Sequence, residues 1–355
     1  MSPINDIAPV VDELEWPRLG AWLLDHVPEL DGDMDVSQFT GGHANLTYCV
    51  SFGDREIVVR RPPFGEIPPG AHDMAREYRV LRGLNPIFDR APQALAFCED
   101  ESVIGAPFLV VERRQGTVVR TAIPTSLAVL PHVERRLSHS LVDALADFHA
   151  VDPTAAGLER LGRPEGFLDR QLAGWYDRWQ RAAPEPLTVF DQVHARLVNT
   201  QPTPSRVSLV HNDFKFDNCM FAEGDPDRVT SIFDWDMATL GDPLVDVGTL
   251  LSYWKDPADS IDRSPTIGLD MTNFISRTEV VDRYAAAGHD VDNIDWYEAF
   301  ATWKLAIVLQ QLFNRFARGD TDDDRLAELG QHVQPLAEHA NAMLGAMTAH
   351  RREIR

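Results

Sequence analysis

The chain has 355 residues, 44% of them hydrophobic and 25% charged, with a formal charge of −22. That length suits one large domain or two lobes with a proper core. The acid excess argues against nucleic acid and against an anionic membrane surface as partners, since phosphate contacts need a basic face, and no apolar run approaches the ~18 residues that would span a bilayer.

In chain order, the first twenty residues, MSPINDIAPVVDELEWPRLG, are acidic and lack a basic segment followed by an apolar one. No signal peptide is expected. Residues 14–27 place Leu14, Leu19, Trp22, Leu23 and Val27 at helical spacing. Residues 39–63, FTGGHANLTYCVSFGDREIVVRRPP, predict two or three strands, with a hairpin turn at Gly53–Asp54 and a stop at Pro62–Pro63. Residues 72–84 space Met74, Tyr78, Leu81 and Leu84 as one face of a helix. ALAFCED and APFLVVERRQG predict two further strands. After Gly116 the pattern turns helical: Leu141, Ala144, Leu145 and Phe148 repeat at i, i+3, i+4, i+7, and helices are expected near 165–182, 243–254, 277–287, 296–317 and 323–348. A short helix is expected within the proline-rich stretch 184–204. Asp242 is expected to cap the helix that follows it, with Pro243 at its first position. The expected fold is α+β and bilobal: a small β-rich lobe over 1–115 and a larger α-helical lobe over 116–355.

Cys49, Cys98 and Cys219 are far apart and form no CxxC pair. Neither a zinc site nor a disulfide framework is expected, and a reducing cytoplasm is the expected home.

The densest polar stretch is VHNDFKFDN (210–218), after an apolar pair. Asn218 lies five residues beyond Asp213, the spacing of a kinase catalytic loop, where an Asp receives the acceptor hydroxyl proton and an Asn holds magnesium. Asp213 is therefore the candidate base, and Lys215 a cation for the transferred phosphoryl group. Asn218 and Asp234, at the end of the strand SIF, are candidate magnesium ligands, since magnesium prefers hard oxygens and few carboxylates beside the phosphates. Asp236 is a further candidate ligand. In the small lobe, Gly41 and Gly42 of TGGHAN (40–45) could admit phosphate oxygens to backbone N–H groups, with Asn45 closing that segment. Arg60 follows the strand IVV on the face of Val58, and Glu77 on the next helix could pair with it. His211 and His149 are expected to support and pack, Cys219 to sit in the core, and Asp246 to stiffen a loop. Arg113, Arg114, Arg120, Arg135 and Arg136 form either an anion site or a solvated face.

LVHNDFKFDNCMF…SIFDWDMATLGDPLVDVGTLL resembles the aminoglycoside phosphotransferase family, the choline/aminoglycoside kinase-like group, over nearly the whole chain. GRPEGFLDRQLAGWYDRW (162–179) and WYEAFATWKLAIVLQQLFNRFARG (296–319) resemble the kinase-like domain carried ahead of some acyl-CoA dehydrogenase domains. The resemblance implies a protein-kinase-like fold, ATP and Mg2+, and transfer of the γ-phosphate to a hydroxyl of a small molecule. It matches Asp213 to the catalytic Asp, Asn218 and Asp234 to the metal ligands, and Arg60 with Glu77 to the phosphate-binding pair. It also matches VVERR (110–114), with Glu112 and Arg113, to the hinge whose backbone binds adenine. The family's usual His-Gly-Asp is His-Asn-Asp here, Ala44 stands where Ser is common, and Lys304 where close relatives often carry Arg. The subgroup implies a hydroxyacyl-CoA acceptor, commonly phosphorylated at a 4-hydroxyl. Alternatives are an aminoglycoside, choline or sugar kinase, and a nucleotide-binding pseudokinase acting as an interaction module. A protein kinase is disfavoured, because neither a six-residue glycine motif nor an APE segment is present. A monomer or homodimer is expected.

Overall fold

The computed structural model describes residues 7–10, 14–39, 45–64, 73–257, 259–263, 265, 268–321 and 323–353. The first lobe contains β1 (Ile7–Pro9), α1 (Trp16–His26), β2 (Met34–Phe39), β3 (Leu46–Phe52), β4 (Arg55–Arg61), α2 (Met74–Leu84), β5 (Ala94–Cys98) and β6 (Phe108–Glu112). Its six strands form one antiparallel sheet in the order β1-β2-β3-β4-β6-β5. The β3–β4 hairpin turns at Gly53, whose φ is +57°, as the Gly-Asp signal predicts.

The sheet is covered on both faces, and strand alternation decides which residue meets which cover. Tyr48, Val50, Ile57, Val59, Phe108 and Val110 pack against Leu19 and Leu23 of α1. Val58, Leu109 and Val111 turn the other way, onto Met74, Val80, Leu81 and Leu84 of α2. Arg60 thus lies on the α2 side. Arg61 points oppositely and is consumed structurally: its guanidinium donates to Ile104 O at 2.8 Å and lies 4.2 Å from the Phe64 ring centroid.

The second lobe contains β7 (Thr117–Val118), α3 (Thr125–Ala128), α4 (Val133–His149), α5 (Phe167–Ala182), α6 (Thr188–Thr200), β8 (Ser208–Val210), β9 (Cys219–Ala222), β10 (Asp225–Ile232), β11 (Thr239–Gly241), α7 (Leu244–Tyr253), α8 (Arg277–Ala286), α9 (Ile294–Ala317) and α10 (Gly330–Glu353). Small sheets β10-β9-β7 and β11-β8 carry the loops of the cleft. Asp242 does cap α7: its carboxylate accepts from Leu244 N at 3.0 Å and from the Tyr297 hydroxyl. Gly248 lets α7 lie directly on α9, since a Cβ there would sit 2.5 Å from Tyr297 O. Three boundaries differ from the sequence reading by several residues. Strand β2 begins at Met34, and the last helix runs Gly330–Glu353. The polar run before Gly330 forms a separate 3-10 turn, Asp324–Leu326, in which the Asp323 carboxylate accepts from Arg325 N.

The segment between α7 and α8 is tied down by charge. Arg263, fully buried, donates to Glu298 at 2.6 Å and to Thr302 Oγ1 at 3.3 Å, both on α9, and lies 3.8 Å from Asp259. Arg277 also holds Asp259, at 2.6 Å, and Glu298, at 3.2 Å. Removing one member of a buried ion network strands its partners and costs about 3–5 kcal/mol. Arg277 still pairs both carboxylates, so Arg263→Ala is expected at the low end, about 3 kcal/mol. A shifted urea midpoint at unchanged slope would show it; a midpoint equal to wild type would contradict the network's role.

Candidate active site

The catalytic-loop candidate follows β8, and its shape is set by one buried carboxylate. Asp246, on α7, accepts from the backbone N–H groups of His211 at 2.6 Å and Asn212 at 2.7 Å. It also accepts from the His149 ring at 3.1 Å, and the Tyr284 hydroxyl reaches the other His149 nitrogen at 2.8 Å. Burial lowers the pKa of His149. It is therefore the neutral imidazole, donating from Nε2 to Asp246 and accepting from Tyr284 at Nδ1. His211 is buried and donates to Phe233 O at 2.8 Å, bridging the loop to the strand end before Asp234.

Asn212 has a φ of +67°, and Asp234 likewise. Left-handed backbone is costly for most side chains and tolerated by Gly, Asn and Asp. The loop needs this conformation at residue 212, and Asn can adopt it. The Asn212 side chain then adds a bond, its Nδ2 donating to Met237 O at 2.9 Å, while the Asn212 backbone carbonyl accepts from Lys304 Nζ at 3.0 Å.

The loop so held presents Asp213. Its carboxylate accepts from Asn218 Nδ2 at 3.0 Å and pairs with Lys215 Nζ at 3.1 Å. Lys215 also faces Asp217 at 3.8 Å and lies 5.7 Å from the Tyr253 ring centroid. Burial works against its charge, but Asp213, Tyr253 and Asp217 outweigh it and hold the Lys215 pKa well above the usual lysine value. Asn218 O accepts from Phe233 N at 2.9 Å, which sets the metal-ligand candidates Asn218 and Asp234 along neighbouring segments.

On the sheet side, Arg60 donates to Asp234 at 2.7 Å and lies 3.3 Å from Glu77. Asp236 is buried close to the Asn45 side chain. Three carboxylates, Glu77, Asp234 and Asp236, thus surround one guanidinium. Burial raises Glu77 to about 7 against the pull of Arg60, with Asp234 and Asp236 adding to the rise. Burial and the Asp234 charge raise Asp236 to about 6. Asp234 is also buried, but Arg60 and His211 overcome that and lower it. The excess of negative charge over one arginine is what a cation would relieve.

Gly41 and Gly42 lie outside the described residues. Glu112 is occupied within the small lobe: its N–H donates to Gln93 O at 2.9 Å, and its carboxylate accepts from Gln93 N at 2.6 Å and pairs with Arg114 at 2.7 Å. The Arg113 side chain lies 3.8 Å from Glu56 and 4.8 Å from the Phe39 ring centroid. Arg113, Arg114, Arg135 and Arg136 pair with different acids. Arg135 pairs with Glu279 and Arg136 with Asp227, each at a separate place.

A model of the phosphotransferase enzyme family matches residues 35–300. The chain belongs to that family. It is thus a phosphotransferase, with the kinase-like division into a small antiparallel sheet lobe and a helical lobe. This phosphotransferase is 30% identical to acyl-CoA dehydrogenase family member 11 of Rattus norvegicus over 90% of its own length and 42% of the relative's. It is 29% identical to family member 10 of Mus musculus over 87% and 29%. The chain spans less than half the length of these curated relatives. Among solved structures, a provisionally named aminoglycoside phosphotransferase from Ralstonia eutropha superposes with a TM-score of 0.77 at 28% identity, covering 94% of this chain and 99% of the other. Aminoglycoside phosphotransferase APH(4)-Ia, in a ternary complex with AMP-PNP and hygromycin B, superposes with a TM-score of 0.57 at 18% identity, covering 90% and 97%. At that identity the likeness is one of fold.

The sequence reading missed four contributors. His149 was expected only to pack, yet it joins Asp246 to Tyr284. Tyr253 and Lys304 also reach the loop. The sequence reading noted His149 and Lys304 without these contacts and passed over Tyr253 and Tyr284; distance along the chain hid how all four meet the loop. No helix among the described residues is long and apolar enough to cross a membrane.

Proposed function

We propose that the protein transfers the γ-phosphate of ATP, with Mg2+, to a hydroxyl of a small acceptor, and that the acceptor is a hydroxyacyl-CoA. The observation carrying this reading is the convergence, within a phosphotransferase-family chain, of Asp213, Asn218, Lys215, Asp234 and Arg60 on one cleft. Asp213 lies within reach of a bound hydroxyl because its side chain is a quarter exposed, at 26%. Its carboxylate would take the hydroxyl proton as the acceptor oxygen bonds to phosphorus and the bond to the leaving ADP oxygen breaks. Lys215 and Asn218 hold that carboxylate in place. Arg60 would meet phosphate oxygens, and a guanidinium suits that role because it stays charged and binds in a fork.

The described residues contain no preformed cluster of three or more acidic, His or Cys ligands for a metal. That fits a magnesium ion arriving on the nucleotide and needing only one or two protein ligands, with Asn218 and Asp234 as those ligands. Bound there, magnesium would neutralise charge on the phosphates. The hydroxyacyl-CoA assignment draws on the acyl-CoA dehydrogenase family relatives. The acidic surface by itself would suit a polycationic aminoglycoside as well.

The test is magnesium-dependent ATP consumption over a panel of 4-hydroxyacyl-CoAs, free hydroxy acids, aminoglycosides, choline and sugars, with Asp213→Ala as the blank. Turnover of a hydroxyacyl-CoA, absent in the variant, is the expected result. Turnover confined to aminoglycosides would overturn the acceptor. ATP binding with silence across the panel would favour an interaction module.

A further inference from the structure

Lys304 sits in the middle of α9, and its side chain is almost wholly buried, with the residue 8% exposed. A buried ammonium is costly without a counter-charge. No described carboxylate pairs with Lys304; its one hydrogen bond goes to a neutral oxygen, Asn212 O, at 3.0 Å. Asp213 and Asp246 are near enough to favour its charge, yet burial wins and its pKa falls. An ammonium has three donors, and one is used. What surrounds the remainder is equally unusual. The Trp175 ring of α5, itself buried, carries two cations: Lys304 with its centroid at 5.3 Å and Arg178 at 4.5 Å. The ring quadrupole offsets part of the desolvation and supplies an apolar wall.

Anchoring Asn212 O would need only a neutral donor. A charged group with spare donors, one peptide unit from Asp213, is placed to do more. We propose that Lys304 is an acceptor-orienting residue: it binds the acyl oxygen, a carboxylate or thioester carbonyl, of the hydroxy compound whose hydroxyl faces Asp213, with Trp175 against the intervening carbons. A polycationic aminoglycoside would be repelled at the same place by Lys304 and Arg178, so this position sets specificity locally, against the sign of the whole surface. The inference rests on the small-molecule kinase reading above and supplies the residue that would choose the acceptor.

The test separates the two by measuring binding as well as turnover. The whole chain, Lys304→Met, Lys304→Gln and Lys304→Arg are titrated calorimetrically with 4-hydroxybutyryl-CoA, with 4-hydroxybutyrate and with kanamycin, and separately with ADP and magnesium. Loss of charge in the Met and Gln variants is expected to weaken both hydroxyacyl probes at least tenfold. The Arg variant should hold them within about threefold, because it keeps charge and donors, and nucleotide affinity should be unchanged throughout. A purely structural anchor would instead lower turnover alike for every acceptor and leave hydroxyacyl affinity unmoved. That outcome would overturn the proposal, as would tighter wild-type binding of kanamycin than of either hydroxyacyl probe. Failure of the kinase reading would appear separately, as hydroxyacyl binding that depends on Lys304 without any phosphate transfer.

Discussion

Asp213→Asn is expected to lower turnover by about 10²–10⁴-fold, the range for removing a positioned general base, while nucleotide affinity changes little. The reasoning is geometric. Asp213 touches Asn218 and Lys215, not Arg60 or Glu77, which sit on the sheet side of the cleft. Asn keeps the volume and one acceptor oxygen for Asn218 but cannot take a proton at neutral pH. The loss therefore falls on kcat and on kcat/KM equally, the signature of an interaction made in the transition state. Asp234→Asn provides the contrast. It removes the carboxylate that Arg60 now holds at 2.7 Å and that would meet magnesium, so nucleotide affinity in magnesium should fall with kcat. Steady-state kinetics with varied ATP, joined to nucleotide titration, distinguishes the two patterns. Near-normal turnover in Asp213→Asn would remove that residue from the chemistry.

Asp246→Ala is expected to cost about 3–5 kcal/mol of stability and to depress kcat as well. One carboxylate satisfies two backbone N–H groups of the catalytic loop and the His149 ring. Its removal leaves three buried donors without that acceptor, each costing about 1–3 kcal/mol if unsatisfied. The same residues hold Asn212 in its left-handed conformation, so the presentation of Asp213 loosens with them. A urea midpoint and kcat measured on one preparation would show both effects; loss of stability alone would confine Asp246 to folding.

The pair also has a pH signature. The folded-state pKa of His149 is lowered below its ordinary 6.5, with burial the main cause, and that of Asp246 lies below its ordinary 3.8, because burial is outweighed by the hydrogen bonds it accepts from the His149 ring and the His211 N–H. In each case the unfolded chain binds the proton first. The stability these groups contribute is present at neutral pH and lost on acidification. His149 acts first, removing up to about 1.4 kcal/mol per pH unit as pH falls below 6.5. In His149→Gln that component of the slope should vanish, leaving a flatter stability profile between neutrality and pH 5 than in wild type.

Local chemistry was enough to bring several of these features out of the sequence. The spacing of Asp213, Lys215 and Asn218, the helix face through Met74 and Leu81, the turn at Gly53 and the cap at Asp242 each depend on a few consecutive residues. Their signals are periodicity and side-chain type. Alternation on β4 put Arg60 with Val58, and the two-sided burial of the sheet supplies the reason: Arg61 has its own acceptor at Ile104 on the opposite side. Other features depended on folding. That Asp246 grips two N–H groups more than thirty residues away follows from the start of α7 lying against the loop that leaves β8. That His149 is a neutral link and not mere packing follows from its burial between Asp246 and Tyr284. That Arg135 and Arg136 each pair with an acid follows from Glu279 and Asp227 arriving from distant segments. Lys304 was legible as a lysine in an apolar helix, at a position where the resemblance implies Arg is common. Its value as a buried ammonium beside Asp213, with Trp175 against it, arises because α5, α9 and the catalytic loop meet at one point, and electrostatic energy depends on distance and burial in space, not on separation along the chain.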